Sequence, residues 1–221
     1  MNNSEIFPHI DHTLLKATAT AEQITQLCEE ALRYHTASVC IPASFVKFAH
    51  EKFPELNICT VIGFPLGYST TAVKCFEARD AIQNGANEID MVINLGWVKD
   101  GRFSDVEREI ADVRNACGDK VLKVIIETCY LDEQEKIELC KCVTNAKADY
   151  IKTSTGFGTA GANIEDISLF RQHIGDNVKI KAAGGVKTKA DLEMFISEGC
   201  ERIGTSSAVK LLTGGASDGS Y

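Results

Sequence analysis

The sequence lacks the features that mark membrane and nucleic-acid-binding proteins. No apolar run approaches the roughly 18 residues of a membrane span, and residues 1–5 hold neither a basic nor an apolar segment, so we expect no signal peptide and no membrane association. Lys and Arg number 23 against 31 Asp and Glu, a net charge of −8. This balance argues against nonspecific binding to nucleic acid, although a local basic pocket remains compatible with a small anionic ligand.

Cysteine is frequent but lacks the spacing of disulfide-rich or metal-binding proteins. The nine cysteines are scattered without a Cys-x-x-Cys pair, and the five histidines show no His-x-x-x-His spacing. An odd, scattered set is typical of reduced thiols, so we predict a cytoplasmic protein without a metal site. Cys40, at the end of a predicted strand, is interpreted as a packing residue, with a reactive thiol as the alternative.

Apolar, β-rich segments alternate with segments of helical periodicity along the chain. Continuous apolar stretches such as residues 124–126 are typical of strands covered on both faces, and Thr20 with Gln23 forms a helix-capping pattern. Eight units predict an α/β fold, a closed (β/α)8 TIM barrel, with an open doubly wound sheet as the alternative. The predicted strands are 9–14, 37–42, 58–64, 88–94, 121–128, 150–154, 178–183 and 202–205.

No linker or shift in composition divides the chain. We therefore predict a single barrel domain over residues 1–221, with a flexible Gly- and Ser-containing tail over about 214–221. No Gly-x-Gly-x-x-Gly motif follows the first predicted strand, which argues against a dinucleotide, and we expect no cofactor.

One lysine lies inside an apolar predicted strand. Lys152 follows Tyr150 and Ile151, and burying an ammonium in such surroundings costs several kcal/mol. A lysine in an apolar pocket loses its proton more easily, and its free amine attacks carbonyl groups to form a Schiff base. The segment therefore predicts a nucleophile, with a lysine on an exposed strand face as the alternative.

Further candidates lie near the C-terminal ends of other predicted strands, where barrel active sites gather. Lys181 comes one βα unit after Lys152, so adjacent strands would bring the two amines together. Asp90 would compensate their charge and exchange protons, with a purely structural salt bridge as the alternative. Residues that either line the site or satisfy a polar network are Asp11, Lys123 and Glu127.

Glycine-containing turns follow the last three predicted strands, at residues 154–157, 183–186 and 204–207. Glycine lets backbone N–H groups approach an anion closely, and phosphate often binds among the last loops of such barrels. Ser206 and Ser207 add hydroxyl and amide donors there. One such glycine is more typical of a turn, but three in successive units favour a phosphate site.

Six motifs, in order along nearly the whole chain, together resemble the class I deoxyribose-phosphate aldolase family. No single motif is specific, whereas six at successive strand ends are. They are IDHTLLK at 10–16, EIDMVIN at 88–94, KVIIET at 123–128, IKTSTGF at 151–157, KAAGGV at 181–186 and RIGTSS at 202–207.

The resemblance implies a barrel that reversibly cleaves 2-deoxy-D-ribose 5-phosphate into acetaldehyde and D-glyceraldehyde 3-phosphate. It implies that Lys152 forms the Schiff base, that Lys181 favours its neutral amine, and that Asp90 serves a proton relay. Asp11 would orient the second lysine. An iminium is itself an electron sink, so this chemistry requires no metal. The implied phosphate-binding residues are Gly156, Gly184, Gly185, Gly204, Ser206 and Ser207.

The resemblance also concerns the end of the chain and the partners. Some family members end on tyrosine, which implies that Tyr221 enters the site and assists proton transfer. The expected partners are phosphosugar and aldehyde substrates and further copies of the chain, in a dimer or tetramer. Two alternatives remain: a phosphosugar isomerase or epimerase that uses Asp90 and a lysine for proton transfer alone, and a sugar-phosphate-binding protein without activity.

Overall fold

The computed structural model describes residues 1–214 and contains a closed barrel of parallel strands in chain order, β1 to β8, with β8 paired to β1. The predicted (β/α)8 barrel is confirmed. Most strands are one or two residues shorter than predicted, because the chain leaves the barrel soon after the last paired residue. They are β1 (Ile10–Thr13), β2 (Ser38–Ile41), β3 (Ile58–Ile62), β4 (Glu88–Val92), β5 (Val121–Ile125), β6 (Tyr150–Lys152), β7 (Lys179–Ala183) and β8 (Arg202–Thr205).

Helices follow the strands and cover the barrel. The predicted cap is present, because Thr20 accepts from the Gln23 backbone while the Gln23 side chain accepts from Thr20. Short 3-10 segments span Phe7–His9, Ala43–Phe45 and Thr128–Tyr130. The helices are α1 (Asn3–Ile6), α2 (Ala21–Tyr34), α3 (Val46–Lys52), α4 (Thr71–Gln83), α5 (Leu95–Lys99), α6 (Phe103–Cys117), α7 (Glu133–Asn145), α8 (Ile164–His173), α9 (Lys189–Ser197) and α10 (Ala208–Thr213).

Alternation along the strands separates an apolar layer from a polar one. In β4, Ile89 and Met91 belong to the main core, whereas Glu88 and Asp90 between them contact polar groups of other strands. The apolar layer holds the helices against the barrel. The polar layer therefore brings charged side chains of different strands together.

Two sequence-based expectations concern the termini and the thiols. Residues 215–221, with Tyr221 and most of the predicted tail, lie outside the described residues. All nine cysteines are free thiols, and Cys40 is fully buried, as a packing residue would be. Within residues 1–214, no helix combines the length and apolar character that a membrane crossing needs.

Candidate active site

Two lysines on neighbouring strands share one carboxylate oxygen. Lys152 in β6 and Lys181 in β7 are direct register partners. Their Nζ atoms lie 2.8 and 2.7 Å from the same Oδ2 of Asp90 in β4. All three side chains are buried. The structure thus brings together the three residues that the sequence singles out, at the C-terminal half of the barrel.

Asp11 lies on the far side of Lys181 from Lys152. The Lys181 Nζ is 2.5 Å from Asp11 Oδ2, and the Ser38 hydroxyl donates to Asp11 Oδ1 at 2.8 Å. Burial alone would lower the pKa of Lys181, but the charges of Asp11 and Asp90 outweigh it and raise the pKa above its ordinary value. Lys181 is therefore an ammonium held between two carboxylates.

Lys123 and Arg202 are part of the same cluster. Lys123 is only a secondary candidate from the sequence, and Arg202 is not predicted as a site residue. Lys123 Nζ lies 2.6 Å from Glu88 Oε2 and 2.8 Å from Asp90 Oδ1. Arg202 contacts Asp11 Oδ1 at 2.5 Å and Glu88 Oε1 at 2.8 Å. Strand alternation indicates both residues. Each lies on the same face of the sheet as a predicted site residue, which is either two positions away along the strand or opposite it on the neighbouring strand.

The carboxylates of this cluster are held in their ionised form. Burial would raise the pKa of Asp90, but Lys123, Lys152 and Lys181 outweigh it and hold the pKa well below its usual range. The pKa of Asp11 is lowered in the same way, against burial, chiefly by Lys181 and Lys123. Asp90 is therefore an ionised carboxylate at the centre of the cluster.

Glu127 supports the loop that follows Lys152. Its backbone has a φ of 54°, the left-handed region that a non-glycine residue adopts only under constraint. Its carboxylate accepts from the Thr155 backbone N–H at 3.1 Å and from the Thr155 hydroxyl. The Thr155 hydroxyl oxygen in turn accepts from the Phe157 N–H at 3.0 Å. Burial raises the pKa of Glu127.

The glycine turns after β6 and β7 lie against each other. Gly156, Gly184 and Gly185 all have positive φ. A Cβ added to Gly184 would lie 3.1 Å from the Gly161 Cα and 3.7 Å from the Gly156 Cα. A Cβ on Gly161 would lie 2.3 Å from the Gly184 carbonyl carbon, a clash that only glycine avoids.

The turn after β8 completes the three predicted phosphate loops. Gly204 lies within β8 and pairs in register with Ala183. The Thr205 and Ser207 hydroxyl oxygens are 3.1 Å apart, and the Ser207 N–H donates to the Thr205 hydroxyl oxygen at 3.1 Å. Ser207 is thereby fixed by its own turn, next to Ser206.

One group of side chains in residues 1–214 has the spacing of a metal site. The Cys40 and Cys59 sulfurs and an Asp90 oxygen all lie within 4.8 Å of one another. The Lys123 ammonium, however, donates to Cys59 Sγ at 3.3 Å and to Asp90 Oδ1 at 2.8 Å. A bound cation would have to displace this ammonium, so the donor set fits a metal poorly.

Buried, carboxylate-paired lysines on neighbouring strands of a (β/α)8 barrel suit an enzyme that attacks a carbonyl group with an amine nucleophile. The model of the DeoC/LacD family aldolases matches residues 6–216 of the chain, and the protein belongs to this family.

Relatives agree with this assignment over nearly the full length. The chain is 59% identical to a deoxyribose-phosphate aldolase of Clostridium botulinum strain Alaska E43 over 99% of this chain and 100% of that protein. It is 59% identical to one of Clostridioides difficile strain 630, over 94% and 95% of the two chains. The tetrameric deoxyribose phosphate aldolase of Aeropyrum pernix is 31% identical and superposes with a TM-score of 0.89, covering 96% of this chain and 91% of that one.

Proposed function

We propose that this protein is a class I deoxyribose-phosphate aldolase, which reversibly cleaves 2-deoxy-D-ribose 5-phosphate to acetaldehyde and D-glyceraldehyde 3-phosphate. Lys152 is the Schiff-base nucleophile. The observation that carries this proposal is the charge environment of the buried lysines. Lys123 lies within ion-pair distance of three carboxylates, Lys181 of two, and Lys152 of Asp90 alone.

The charge balance of the cluster supports the choice of Lys152. Four cationic side chains face three carboxylates there, so one lysine can become neutral without leaving a carboxylate unpaired. Lys152 has the fewest carboxylate partners, and among the three lysines it alone retains some exposure, 3% against 0% for Lys123 and Lys181. Lys152 is therefore the lysine of the cluster whose reaction with a carbonyl group disrupts the fewest ion pairs. The cluster consists of Lys123, Lys152, Lys181, Arg202, Asp11, Glu88 and Asp90.

The bond changes follow from this assignment. The Lys152 amine adds to the C1 aldehyde of the open-chain sugar, and loss of water gives an iminium. The C2–C3 bond then breaks as the C3 hydroxyl loses its proton, with Asp90 as the acceptor, directly or through a water. The electron pair of the broken bond enters the iminium and forms a neutral enamine, and the C3–C5 fragment, now an aldehyde at C3, leaves as D-glyceraldehyde 3-phosphate. Protonation at C2 and hydrolysis release acetaldehyde and regenerate the Lys152 amine.

The remaining residues bind and orient the substrate in this proposal. The backbone N–H groups of the three glycine turns and the serines after β8 hold the phosphate, far from the bond that breaks. That binding positions C1 at Lys152. Asp11 keeps Lys181 charged and in place, and Lys181 as an ammonium favours the neutral form of its neighbour.

Borohydride trapping tests both the reaction class and the residue. With acetaldehyde present, reduction should attach a two-carbon group to Lys152, detected by peptide mass spectrometry. Lys152→Met should abolish the adduct, whereas Lys179→Met is the matched control, because Lys179 lies in β7 but is exposed and paired with Glu201. An unmarked protein that interconverts phosphosugars would instead support the isomerase alternative, and binding without turnover would support the sensor.

We also propose a homo-oligomer, a dimer or a tetramer, since the Aeropyrum pernix relative is tetrameric. Light scattering of the purified protein tests this, and a monomeric mass would contradict it.

A single domain over the whole chain, with a tail that brings Tyr221 to the site, remains a prediction. The nine free thiols support a reducing, cytoplasmic location.

A further inference from the structure

Two thiols that the proposed aldol chemistry does not use face each other inside the barrel. Cys40 in β2 and Cys59 in β3 are direct register partners, and both are fully buried. Paired residues of adjacent strands have Cα atoms about 4.8 Å apart, within the range of about 4.4–6.8 Å that a disulfide requires. Their sulfurs lie within 4.8 Å of each other, so a bond needs side-chain rotation and little backbone movement.

The surroundings give the two thiols different chemistry. The neighbouring Cys59 side chain lowers the pKa of Cys40 against the effect of burial, and Lys181 and Lys152 add to the decrease. Burial raises the pKa of Cys59 well above its usual value. Since the thiolate is the reactive form, Cys40 is the attacking sulfur and Cys59 the resolving one.

The pair lies at the same end of the barrel as Lys152. Cys40 and Cys59 form an apolar cluster with Leu15, separate from the main core, against which the half-buried Val61 and Phe64 pack. Leu15 follows β1 and Phe64 follows β3, at the end of the barrel where Lys152 lies. The proposed aldolase reaction requires that an aldehyde reach Lys152 at this end, and hydrogen peroxide, which is no larger, would follow the same path.

We propose that Cys40 and Cys59 are an oxidation site, at which a peroxide forms a disulfide across β2 and β3 and thereby lowers aldolase activity. The Cys40 thiolate attacks a peroxide oxygen, the O–O bond breaks, and the departing hydroxide takes up the Cys40 proton to leave as water. The Cys59 sulfur then displaces the oxygen of the resulting sulfenic acid, which leaves as a second water with the Cys59 proton. Two thiols are oxidised and one peroxide is reduced.

The disulfide acts on catalysis through Asp90. In the reduced protein the Cys59 thiol donates to Asp90 Oδ1 at 3.1 Å and accepts from Lys123 at 3.3 Å. The disulfide removes the S–H donor and draws the sulfur toward β2, so Asp90 loses a partner on the side opposite the two lysines. This effect on turnover rests on the proposed aldolase function, whereas formation of the disulfide does not.

The test treats the full-length protein with hydrogen peroxide and follows two readouts. Peptide mass spectrometry without reduction should find residues 40 and 59 linked, with the loss of two hydrogen atoms. Turnover of 2-deoxy-D-ribose 5-phosphate should fall about tenfold, the effect of one hydrogen bond to a charged group, and should return with dithiothreitol.

Variants identify the thiols responsible, each compared before and after its own treatment. Cys40→Ala should lose no turnover on treatment, whereas Cys129→Ala should respond as the parent does, because Cys129 is the half-buried thiol outside the barrel interior. Absence of the 40–59 link, or equal sensitivity of Cys40→Ala, would overturn the proposal. A linked pair in a protein without aldolase activity would leave the oxidation site standing and refute the proposed function instead.

Discussion

The protein buries lysines in two places, and the two places give them opposite electrostatic properties. Lys74, in α4, lies outside the barrel with its Nζ 2.8 Å from Glu109 Oε2 of α6 and 2.8 Å from the Val92 carbonyl oxygen. Its side chain is as fully buried as those of Lys123 and Lys181. Burial lowers the pKa of Lys74 despite Glu109, whereas the pKa of Lys181 is raised.

The difference lies in the number of carboxylates, not in the depth of burial. Lys74 has one carboxylate partner, Glu109, whose own pKa is raised by burial. Lys181 has two, and both are held ionised by further cations. An isolated buried pair is thus electrostatically weak. The barrel interior gathers side chains from several strands, and the charges around Lys181 are numerous enough to keep Lys181, Asp11 and Asp90 ionised.

The largest expected effect concerns Lys181. Lys181→Met should reduce kcat/KM by about 10³-fold, because it removes the ammonium next to Lys152 and leaves Asp11 and Asp90 undercompensated. Lys74→Met is the matched control: a lysine equally buried, whose loss should leave the turnover of the folded fraction unchanged. Steady-state kinetics on both variants measure this. Equal losses of turnover in the two variants would contradict a specific electrostatic role of Lys181 in catalysis.

The second effect is on stability. Glu109→Ala removes the ion-pair partner of the buried Lys74 and should lower the free energy of unfolding by about 3–5 kcal/mol near neutral pH. The loss should shrink at alkaline pH, where Lys74 is neutral. Urea denaturation measures it, with Asp112→Ala, at an exposed position of the same helix, as the control. A loss that does not depend on pH would contradict the assigned cause.

The third effect appears in acid. The pKa of Asp11 and that of Asp90 are lowered in the folded state. Their stabilisation is therefore present above the unfolded value of about 3.9 and is lost as the pH falls below it, because the unfolded chain then binds more protons. Asp11→Asn should be less stable at neutral pH and should show an acid slope shallower by up to about 1.4 kcal/mol per pH unit. The pKa of Glu109 is raised in the folded state. Its contribution to the slope of the unfolding free energy against pH therefore has the opposite sign. An unchanged slope in Asp11→Asn would refute this account.

The smallest effect concerns Ser38, whose hydroxyl donates to Asp11. Ser38→Ala should cost about 1 kcal/mol, since Lys181 and Arg202 still contact Asp11. Thermal and urea unfolding measure the change. A loss larger than that of Glu109→Ala would mean that the many partners of the barrel cluster do not compensate for one another.

The sequence predicts the barrel and the pairing of Lys152 with Lys181 because both follow from periodicity. Eight alternating units leave few topologies, and one βα unit separates the two lysines, so adjacent parallel strands bring them into register. Once the strands are assigned, the same alternation also predicts which residues of the other strands face Asp90.

Interactions between distant segments are harder to predict. Lys74 lies in the middle of a helix, where lysine is usually solvent-exposed, and only the packing of α4 on α6 shows that it meets Glu109. The place of Lys123 in the charged cluster depends on ion pairs with three carboxylates from two other strands. Local pattern predicts which face a residue occupies, but the number of charges that meet there depends on closure of the barrel.

The close approach of Gly161 to Gly184 sets a limit on redesign of the substrate range. Because a methyl group on Gly161 would overlap the Gly184 carbonyl carbon, the loops after β6 and β7 behave as one unit, and a change in either moves both. Libraries aimed at new aldehydes should therefore leave these two loops intact. The exposed side chain of Tyr68, on the loop after β3, offers a position for variation outside these two loops.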